Sequence, residues 1–130
     1  MKALYDPFII FSVYRANQKE FLNETSHTLA LAYLNKEGIP YREAKGVYNN
    51  VKERSIIING RYLKEAMKLA TEHAQESILY VYADRFAETR DPRTGEILER
   101  LGYFKEITKE QIQDYDCCTE TEDGKLWVAR

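Results

Sequence analysis

The sequence predicts an α+β domain of the ferredoxin-like class, in which the order βαββαβ gives an antiparallel sheet with both helices packed on one face. Three observations predict it. The run FIIFSVY (residues 8–14) is continuous, apolar and rich in aromatic and branched side chains, which is typical of a strand buried on both faces. Two later segments carry apolar residues at helical spacing. Three others have the composition of strands, and all follow in the order that this class requires.

The first predicted helix extends to Lys36, where Gly38 and Pro40 give it a stop signal. Its apolar residues at helical spacing are Leu22, Leu29, Ala30, Tyr33 and Leu34. Residues 41–48 and 51–58 predict a hairpin, because Asn49 and Asn50 tolerate the left-handed conformations of tight turns. A second helix is expected over residues 61–75, which have one apolar stripe, and residues 77–84 form the fourth strand.

The C-terminal segment, residues 85–130, predicts an added flap and edge strand. It contains DPRTG (residues 91–95) between two short extended pieces, a helical turn near residues 108–115 and a closing hairpin at Asp123 and Gly124. The helix-free face of the sheet would then have no cover in one chain, so we expect several copies to pack their sheets together. With 130 residues, we treat the chain as a single domain, 1–130.

Composition excludes several classes of partner. The 19 Lys and Arg residues against 21 Asp and Glu give a net charge of -2 without a basic block, so we do not expect a nucleic-acid ligand. Cys117 and Cys118 are adjacent, which fits neither a zinc site nor a disulfide framework and suits a reducing cytoplasm. No signal-peptide cleavage site occurs, and no apolar run approaches the roughly 18 residues of a membrane span. We therefore expect a cytoplasmic protein without a membrane partner.

The usual catalytic motifs are absent from the sequence. HExxH, CxxC, GxSxG, GxxxxGK[ST] and GxGxxG do not occur, so metal hydrolysis, thiol redox chemistry and phosphate-loop binding lack their signals. His27 and His73 fall on predicted helices far apart in sequence, and we interpret both as structural. We expect neither a metal ion nor a cofactor. The remaining candidates for an enzymatic site are polar residues at strand ends: Ser12, Arg15, Asn17, residues 41–43 and Glu53.

Several short motifs follow one another in an order typical of one enzyme family. They are FSVYRAN (residues 11–17), YREA (41–44), ERSIII (53–58), KLATEHAQESILYVY (68–82) and EDGKLWVAR (122–130). On these motifs the chain resembles the phage S-adenosylmethionine lyases, formerly called S-adenosylmethionine hydrolases. The spacing from Tyr41 to Glu53 is one residue longer than in a coliphage relative, and either Gln75 or Glu76 corresponds to a glutamine of that relative.

The resemblance implies a homotrimer of α+β sandwiches, similar to the nitrogen-regulatory signalling proteins, with active sites between subunits. It also implies that the carboxylate of S-adenosylmethionine attacks the γ carbon of the same molecule. The products would be 5'-methylthioadenosine and L-homoserine lactone. Such an enzyme would serve a phage as a counter-defence that depletes S-adenosylmethionine in the host cytoplasm.

On this hypothesis Tyr41 and Glu53 are the catalytic residues. Glu53 would hold the ammonium or the ribose hydroxyls, because an anion placed only against the sulfonium would stabilise the ground state. Tyr41 would orient the reacting chain through its hydroxyl or meet the sulfonium with its ring face. The predicted substrate-binding residues are Ser12, Arg15, Asn17 and Glu76. The other hairpin charges are interpreted as solvated or as subunit contacts: Arg42, Glu43, Lys52 and Arg54.

Two other functions stay open at this stage. A non-catalytic trimeric signalling module could bind an adenine nucleotide between subunits, although the charge of Glu53 would repel its phosphates. An acylphosphatase-like hydrolase would use an arginine and an asparagine. Arg15 follows the first strand as such an enzyme requires, but no glycine-rich phosphate cradle accompanies it.

Overall fold

The computed structural model describes residues 6–48 and 51–130 of the protein. The strands in these residues are β1 (Phe8–Phe11), β2 (Tyr41–Tyr48), β3 (Val51–Asn59), β4 (Ile78–Val81), β5 (Phe86–Arg90), β6 (Ile97–Ile107), β7 (Cys117–Thr121) and β8 (Leu126–Ala129). The helices are α1 (Glu20–Lys36) and α2 (Leu63–Glu72), and short 3-10 turns cover Gly60–Tyr62 and Lys109–Asp114.

The strands form a closed antiparallel barrel. Around the barrel the order is β1-β3-β2-β7-β8-β6-β5-β4, and β4 pairs with β1 to complete the ring. Each neighbouring pair runs antiparallel, so the ladder hydrogen bonds continue around the barrel. Closure leaves no long open sheet edge among the described strands.

The predicted ferredoxin-like sandwich is therefore wrong. The C-terminal segment is not a flap beside a four-stranded sheet, because β5 pairs with β4 and β7 pairs with β2. In an open sandwich, β2 and β4 would present unpaired N–H and C=O groups at the two sheet edges. The C-terminal strands satisfy both edges, and β6 pairs with both β5 and β8 to join them into a barrel.

Two separate apolar cores lie on opposite sides of β1. Because successive side chains of a strand point to opposite faces, Phe8 and Ile10 face the barrel interior while Ile9 and Phe11 face the helices. The interior cluster is Phe8, Ile10, Ala44, Ile57, Val81, Ala87, Phe104 and Trp127. The outer cluster joins Ile9, Phe11, Val13, Ile39, Ile56, Ile58 and Ile78 to buried residues of α1 and α2.

The barrel also changes the expectation about oligomers. The sheet face that the sequence analysis left uncovered is the barrel interior, and side chains of β5, β6 and β8 cover it. No exposed sheet face of the described residues therefore requires several copies to associate, and the expected trimer has no support from this feature.

Most predicted elements are confirmed, with shifted ends. The two hairpin strands occur where predicted, and the predicted turn at Asn49 and Asn50 lies outside the described residues. The predicted first strand and second helix are longer than β1 and α2. In α1, Ala30 and Leu34 are buried as expected, but Leu22 and Leu29 are 43% and 63% exposed. Neither described helix is long and apolar enough to cross a membrane.

Closure of the barrel can be tested at Trp127. Its ring stacks on Phe104 with centroids 5.4 Å apart, and its Nε1–H donates to Thr121 Oγ1 at 3.0 Å inside the barrel. Because Trp127→Ala leaves an interior cavity, we expect it to lower the free energy of unfolding by about 3 to 5 kcal/mol. Urea denaturation followed by circular dichroism measures this change.

The control is Leu98→Ala, since Leu98 lies on β6 with 55% of its surface exposed. That substitution should stay within about 0.5 kcal/mol of the wild type. An equally small effect of Trp127→Ala would contradict the barrel and favour a loose C-terminal flap.

Candidate functional site

A polar cleft lies at the end of the barrel where β1 ends and β3 and β4 begin. It has a volume of about 640 Å³, and we call it the Glu53 cleft. Its lining residues are Tyr14, Arg15, Ala16, Asn17, Glu53, Ala74, Gln75, Glu76 and Ser77. Four of the six predicted site residues thus lie together: Arg15, Asn17, Glu53 and Glu76.

Local hydrogen bonds hold the loop that forms one side of this cleft. The side chain of Asn23, buried at the start of α1, accepts from the Arg15 backbone N–H at 2.9 Å and donates to the Arg15 carbonyl at 3.1 Å. On the other side, the Gln75 side-chain amide donates to the Tyr14 carbonyl. The loop after β1 and the loop before β4 are therefore fixed to each other across the cleft.

Ser12 supports the cleft without lining it. Its hydroxyl donates to the Arg54 carbonyl at 3.1 Å and accepts from the Tyr14 backbone N–H at 3.0 Å. These two bonds tie the end of β1 to β3. Ser12 was predicted to bind substrate, and in the structure its hydroxyl contacts the backbone of Arg54 and of Tyr14.

Glu53 is the unusual carboxyl group of the cleft. It is half-buried, and burial raises its pKa above the ordinary value. It makes no salt bridge in the part of the chain that the structure describes. Its partner across the hairpin is Gly46, which has no side chain to pack against it. Glu53 is thus partly dehydrated, with no compensating cation among the described residues.

Tyr41 lies in a different cleft. That cleft has a volume of about 490 Å³ and is lined by Asp6, Pro40, Tyr41, Arg42, Ile57, Ile58, Asn59, Arg61 and Tyr62. The Tyr41 ring packs against the outer apolar cluster, and its hydroxyl lies 3.5 Å from the Asn35 side-chain amide. Beside it, the Arg61 guanidinium lies over the Tyr62 ring, 4.9 Å from its centroid. We call this the Tyr41 cleft.

One chain does not bring the two predicted catalytic residues together. Tyr41 pairs with Ile58 at the start of β2, whereas Glu53 pairs with Gly46 five positions further along. At about 3.4 Å per residue, this places them roughly 17 Å apart along the hairpin. They also lie on opposite faces of the sheet. Tyr41 packs on the outer cluster, whereas Glu53 shares the face of Ile57, which belongs to the interior cluster.

A chain of charged and polar groups lies beneath the Glu53 cleft, between α1 and the hairpin. The Arg54 guanidinium donates to Glu24 and to Glu43, with both N–O distances 2.6 Å. The Tyr14 hydroxyl donates to the other oxygen of Glu24. At the opposite end, His27 Nε2 lies 2.8 Å from Glu43. We call these five residues the Arg54 network.

The network has a defined set of protonation states. The hydrogen bond from His27 is the main cause that lowers the pKa of Glu43, and the bond from Tyr14 is the main cause that lowers the pKa of Glu24. Burial, followed by the bond to Glu24, raises the pKa of Tyr14 well above its usual value. Because an ionised carboxylate only accepts, Nε2 of His27 carries a proton. Its Nδ1 is buried without a partner among the described residues.

Sequence reasoning missed Tyr14 as a lining residue and missed the Arg54 network, and it considered Gln75 only as an alternative to Glu76. A signal was present in α1, whose buried residues are Asn23, His27, Ala30 and Leu34. Their spacing of three or four residues is that of one helix face. This face is polar at its first two residues and apolar at its last two, so an apolar pattern alone indicates only half of it. Within residues 6–48 and 51–130, no group of His, Cys, Asp and Glu side chains could hold a metal ion.

The closed barrel and its partly dehydrated carboxylate are suited to an enzyme that binds a small cationic molecule. The family comparison makes this specific. The model of the S-adenosylmethionine lyase family matches residues 9–130, and the chain therefore belongs to that family. It is an enzyme with S-adenosylmethionine lyase activity. A search of curated proteins found no match.

The pKa of Glu53 predicts an unusual dependence of stability on pH. The folded-state pKa of Glu53 is raised above the ordinary glutamate value of 4.5, so its contribution to stability is present below about pH 4.5 and is lost as pH rises through the folded-state pKa. We therefore expect Glu53→Gln to equal or exceed the wild type in free energy of unfolding at pH 7. The difference should vanish near pH 4, where the wild-type carboxyl group is protonated. Urea denaturation at both pH values measures it.

Glu43→Gln is the matched control because the pKa of Glu43 shifts the other way. Its lowered folded-state pKa gives stability that is present above about pH 4.5 and is lost on acidification. This substitution should thus destabilise the protein at pH 7. A Glu53→Gln variant that loses stability at pH 7 as Glu43→Gln does would contradict the dehydrated environment of Glu53.

Proposed function

We propose that the protein cleaves S-adenosylmethionine to 5'-methylthioadenosine and L-homoserine lactone, with Glu53 holding the ammonium group of the substrate. The observation that supports this is the state of Glu53, a half-buried carboxyl group with a raised pKa and no salt bridge among the described residues. A cation that enters the cleft would compensate for its lost hydration. S-adenosylmethionine carries two cationic groups, the ammonium and the sulfonium.

The proposed reaction needs little from the protein beyond positioning. An oxygen of the substrate's carboxylate forms a bond to the γ carbon, and the electron pair of the C–S bond moves to sulfur, which leaves as the neutral thioether of 5'-methylthioadenosine. Nucleophile and leaving group belong to one molecule, so a folded near-attack conformation supplies most of the rate. Removing water from the carboxylate makes it a better nucleophile.

The ammonium is the better partner for Glu53 because its charge does not change during the reaction. An interaction with the ammonium is kept in the transition state, whereas an interaction with the sulfonium is lost as sulfur becomes neutral. Arg15, Asn17 and Glu76 are exposed at the rim of the cleft. In this proposal they contact parts of the substrate that stay polar throughout, such as the ribose hydroxyls.

Tyr41 belongs to the same proposed site through a second copy of the chain. The 17 Å estimate and the opposite faces keep Tyr41 and Glu53 of one chain from sharing a small substrate. A ring of copies would bring the Tyr41 cleft of one chain to the Glu53 cleft of the next. The Tyr41 and Tyr62 rings would then supply an aromatic wall for the sulfonium or adenine. The homotrimer and a role in phage counter-defence in the host cytoplasm rest on the family resemblance.

The product spectrum tests the proposed reaction. In water enriched with heavy oxygen, incubation with S-adenosylmethionine alone should give 5'-methylthioadenosine and an unlabelled lactone, because the ring oxygen comes from the substrate. Chelators should not change the rate, since no metal-binding group of side chains occurs among the described residues. Labelled homoserine as the first product, detected by mass spectrometry, would show hydrolysis and overturn the lactone mechanism.

The role of Glu53 is tested by Glu53→Gln, which preserves the shape of the side chain. Losing a charge-assisted contact worth roughly 1.5 to 3 kcal/mol should lower kcat/KM by about ten-fold or more. Turnover should fall as well, because the same contact holds the substrate in its folded reactive conformation. Lys52→Gln, which removes the adjacent exposed charge, should leave turnover nearly intact. Oligomer mass is measured for both variants, and an assembled Glu53→Gln enzyme with wild-type turnover would contradict the assignment.

Mixing two impaired variants extends this test to Tyr41. If sites form between copies, a mixture of Tyr41→Leu, which lacks the ring, and Glu53→Gln contains interfaces in which both native residues meet. Random assembly of equal amounts gives about a quarter of the sites in this form, so about a quarter of wild-type activity should return. Absence of recovery, in a mixture shown by mass spectrometry to exchange subunits, would place both residues in one chain's site or exclude one of them.

A further inference from the structure

We propose that Arg54 is a positioning residue for the reaction, because its bridge between Glu24 and Glu43 sets the orientation of Glu53 and Tyr14 in the cleft. This inference rests on the proposed function. It concerns a residue that contacts none of the reacting atoms. Arg54 follows Glu53 directly in β3 and belongs to the network beneath the cleft.

Arg54 is held at both its side chain and its backbone. The guanidinium donates to Glu24 on α1 and to Glu43 on β2, at 2.6 Å each. The Arg54 carbonyl accepts from the Ser12 hydroxyl at 3.1 Å, at the end of β1. One residue therefore connects β3 with three other elements. This fixes the rotation of β3 about its own axis at this point.

Strand geometry transmits that rotation to Glu53. Consecutive side chains of a strand point to opposite faces, so anchoring Arg54 toward α1 turns Glu53 to the other side. Across the hairpin, Glu53 faces Gly46, which has no side chain that could hold it laterally. Beyond the backbone pairing with β2, the next residue along the strand, Arg54, supplies the side-chain anchors that Glu53 lacks.

The same bridge holds a second lining residue. Glu24 accepts from Arg54 through one oxygen and from the Tyr14 hydroxyl through the other. The Tyr14 carbonyl in turn accepts from the Gln75 side-chain amide, on the opposite side of the cleft. Loss of the Arg54 guanidinium would leave Glu24 free to move, and Tyr14 with it. Two sides of the cleft thus depend on one cation.

If the bridge had a purely structural role, its loss would mainly lower the free energy of unfolding. The side chains of Arg54, Glu24 and Glu43 are 36%, 42% and 37% exposed, and ion pairs at that exposure add little to folding stability. The geometry of the bridge is nonetheless specific, since a planar guanidinium reaches two carboxylates at once and an ammonium does not do so in the same geometry. The effect should therefore appear in turnover more than in stability.

The test compares Arg54→Lys and Arg54→Ala with the wild type as assembled proteins. We expect Arg54→Lys to unfold within the range of other surface variants but to turn over about ten-fold more slowly, mainly through kcat. In Arg54→Ala, millimolar guanidinium should restore part of kcat in a saturable manner, while tetramethylammonium should not. Arg100→Ala, at an exposed position on β6, is the matched control and should keep wild-type kinetics.

A second readout does not depend on activity. In protein labelled with carbon-13 at glutamate side chains, the Glu53 signal is assigned by its loss in Glu53→Gln. In the wild type this carboxyl group should titrate above an ordinary glutamate, and in Arg54→Lys its midpoint should return toward the ordinary value as the side chain reaches water. A merely structural bridge would leave that midpoint unchanged.

The outcomes separate this inference from the proposed function. A wild type that does not consume S-adenosylmethionine overturns the proposed function, and the titration of Glu53 still decides whether Arg54 positions it. An unchanged kcat and an unchanged Glu53 midpoint in Arg54→Lys would overturn the positioning role even in an active enzyme. Parallel loss of folding and activity in Arg54→Ala, with no response to guanidinium, would also overturn it.

Discussion

The alternation of side chains along β1 is the constraint on which the rest of the structure depends. Phe8 and Ile10 lie inside the barrel, and Ile9 and Phe11 lie under the helices, so a four-residue strand is buried at every position. Full burial of such a side chain contributes about 1.5 to 3 kcal/mol. Together the four approach the whole net stability of an ordinary domain, about 5 to 15 kcal/mol. A strand that is buried on both faces requires an apolar layer on each side. β3 and β4 therefore lie beside β1 in the barrel, and the cleft lies at its end.

The outer layer changes character along α1. Its buried face is apolar at Ala30 and Leu34, where it meets the branched residues of β1 and β3, and polar at Asn23 and His27 near the cleft. Polar groups in this position require partners. Asn23 finds them in the loop after β1, and His27 finds one in Glu43. These hydrogen bonds hold α1 at a fixed angle to β2 and to the loop after β1, which apolar contact alone would otherwise have to do.

Periodicity predicted the elements because it reports local geometry, but it does not report which strands pair. The hairpin of β2 and β3 was predictable from two adjacent runs, whereas pairing of β7 with β2 joins segments about 70 residues apart and leaves no local signal. The choice between an open sandwich and a closed barrel was therefore outside what the patterns could decide.

For the candidate site, polar residues at strand ends were the observation that predicted most of the cleft. Arg15, Asn17 and Glu76 follow or precede strands that meet at one end of the barrel, and they share one cleft with Glu53. Tyr41 begins its strand at the other end, which the motif order alone could not show. Gln75 was considered only as an alternative to Glu76, and the structure places both in the cleft. Tyr14 was missed because a tyrosine after an apolar run has the composition of the strand itself.

The carboxylates around β3 differ in a way that relates stability to function. Glu24 and Glu43 receive hydrogen bonds from Tyr14, Arg54 and His27, and their pKa values fall, so they stabilise the fold at neutral pH. Glu53, between the same elements, receives no cation from the described part of the chain, and its pKa rises. Folding thus leaves Glu53 partly dehydrated, while Arg54 pairs with Glu24 and Glu43. The interaction with a cationic substrate that we propose for Glu53 depends on this difference, because no cation of the described residues already pairs with it.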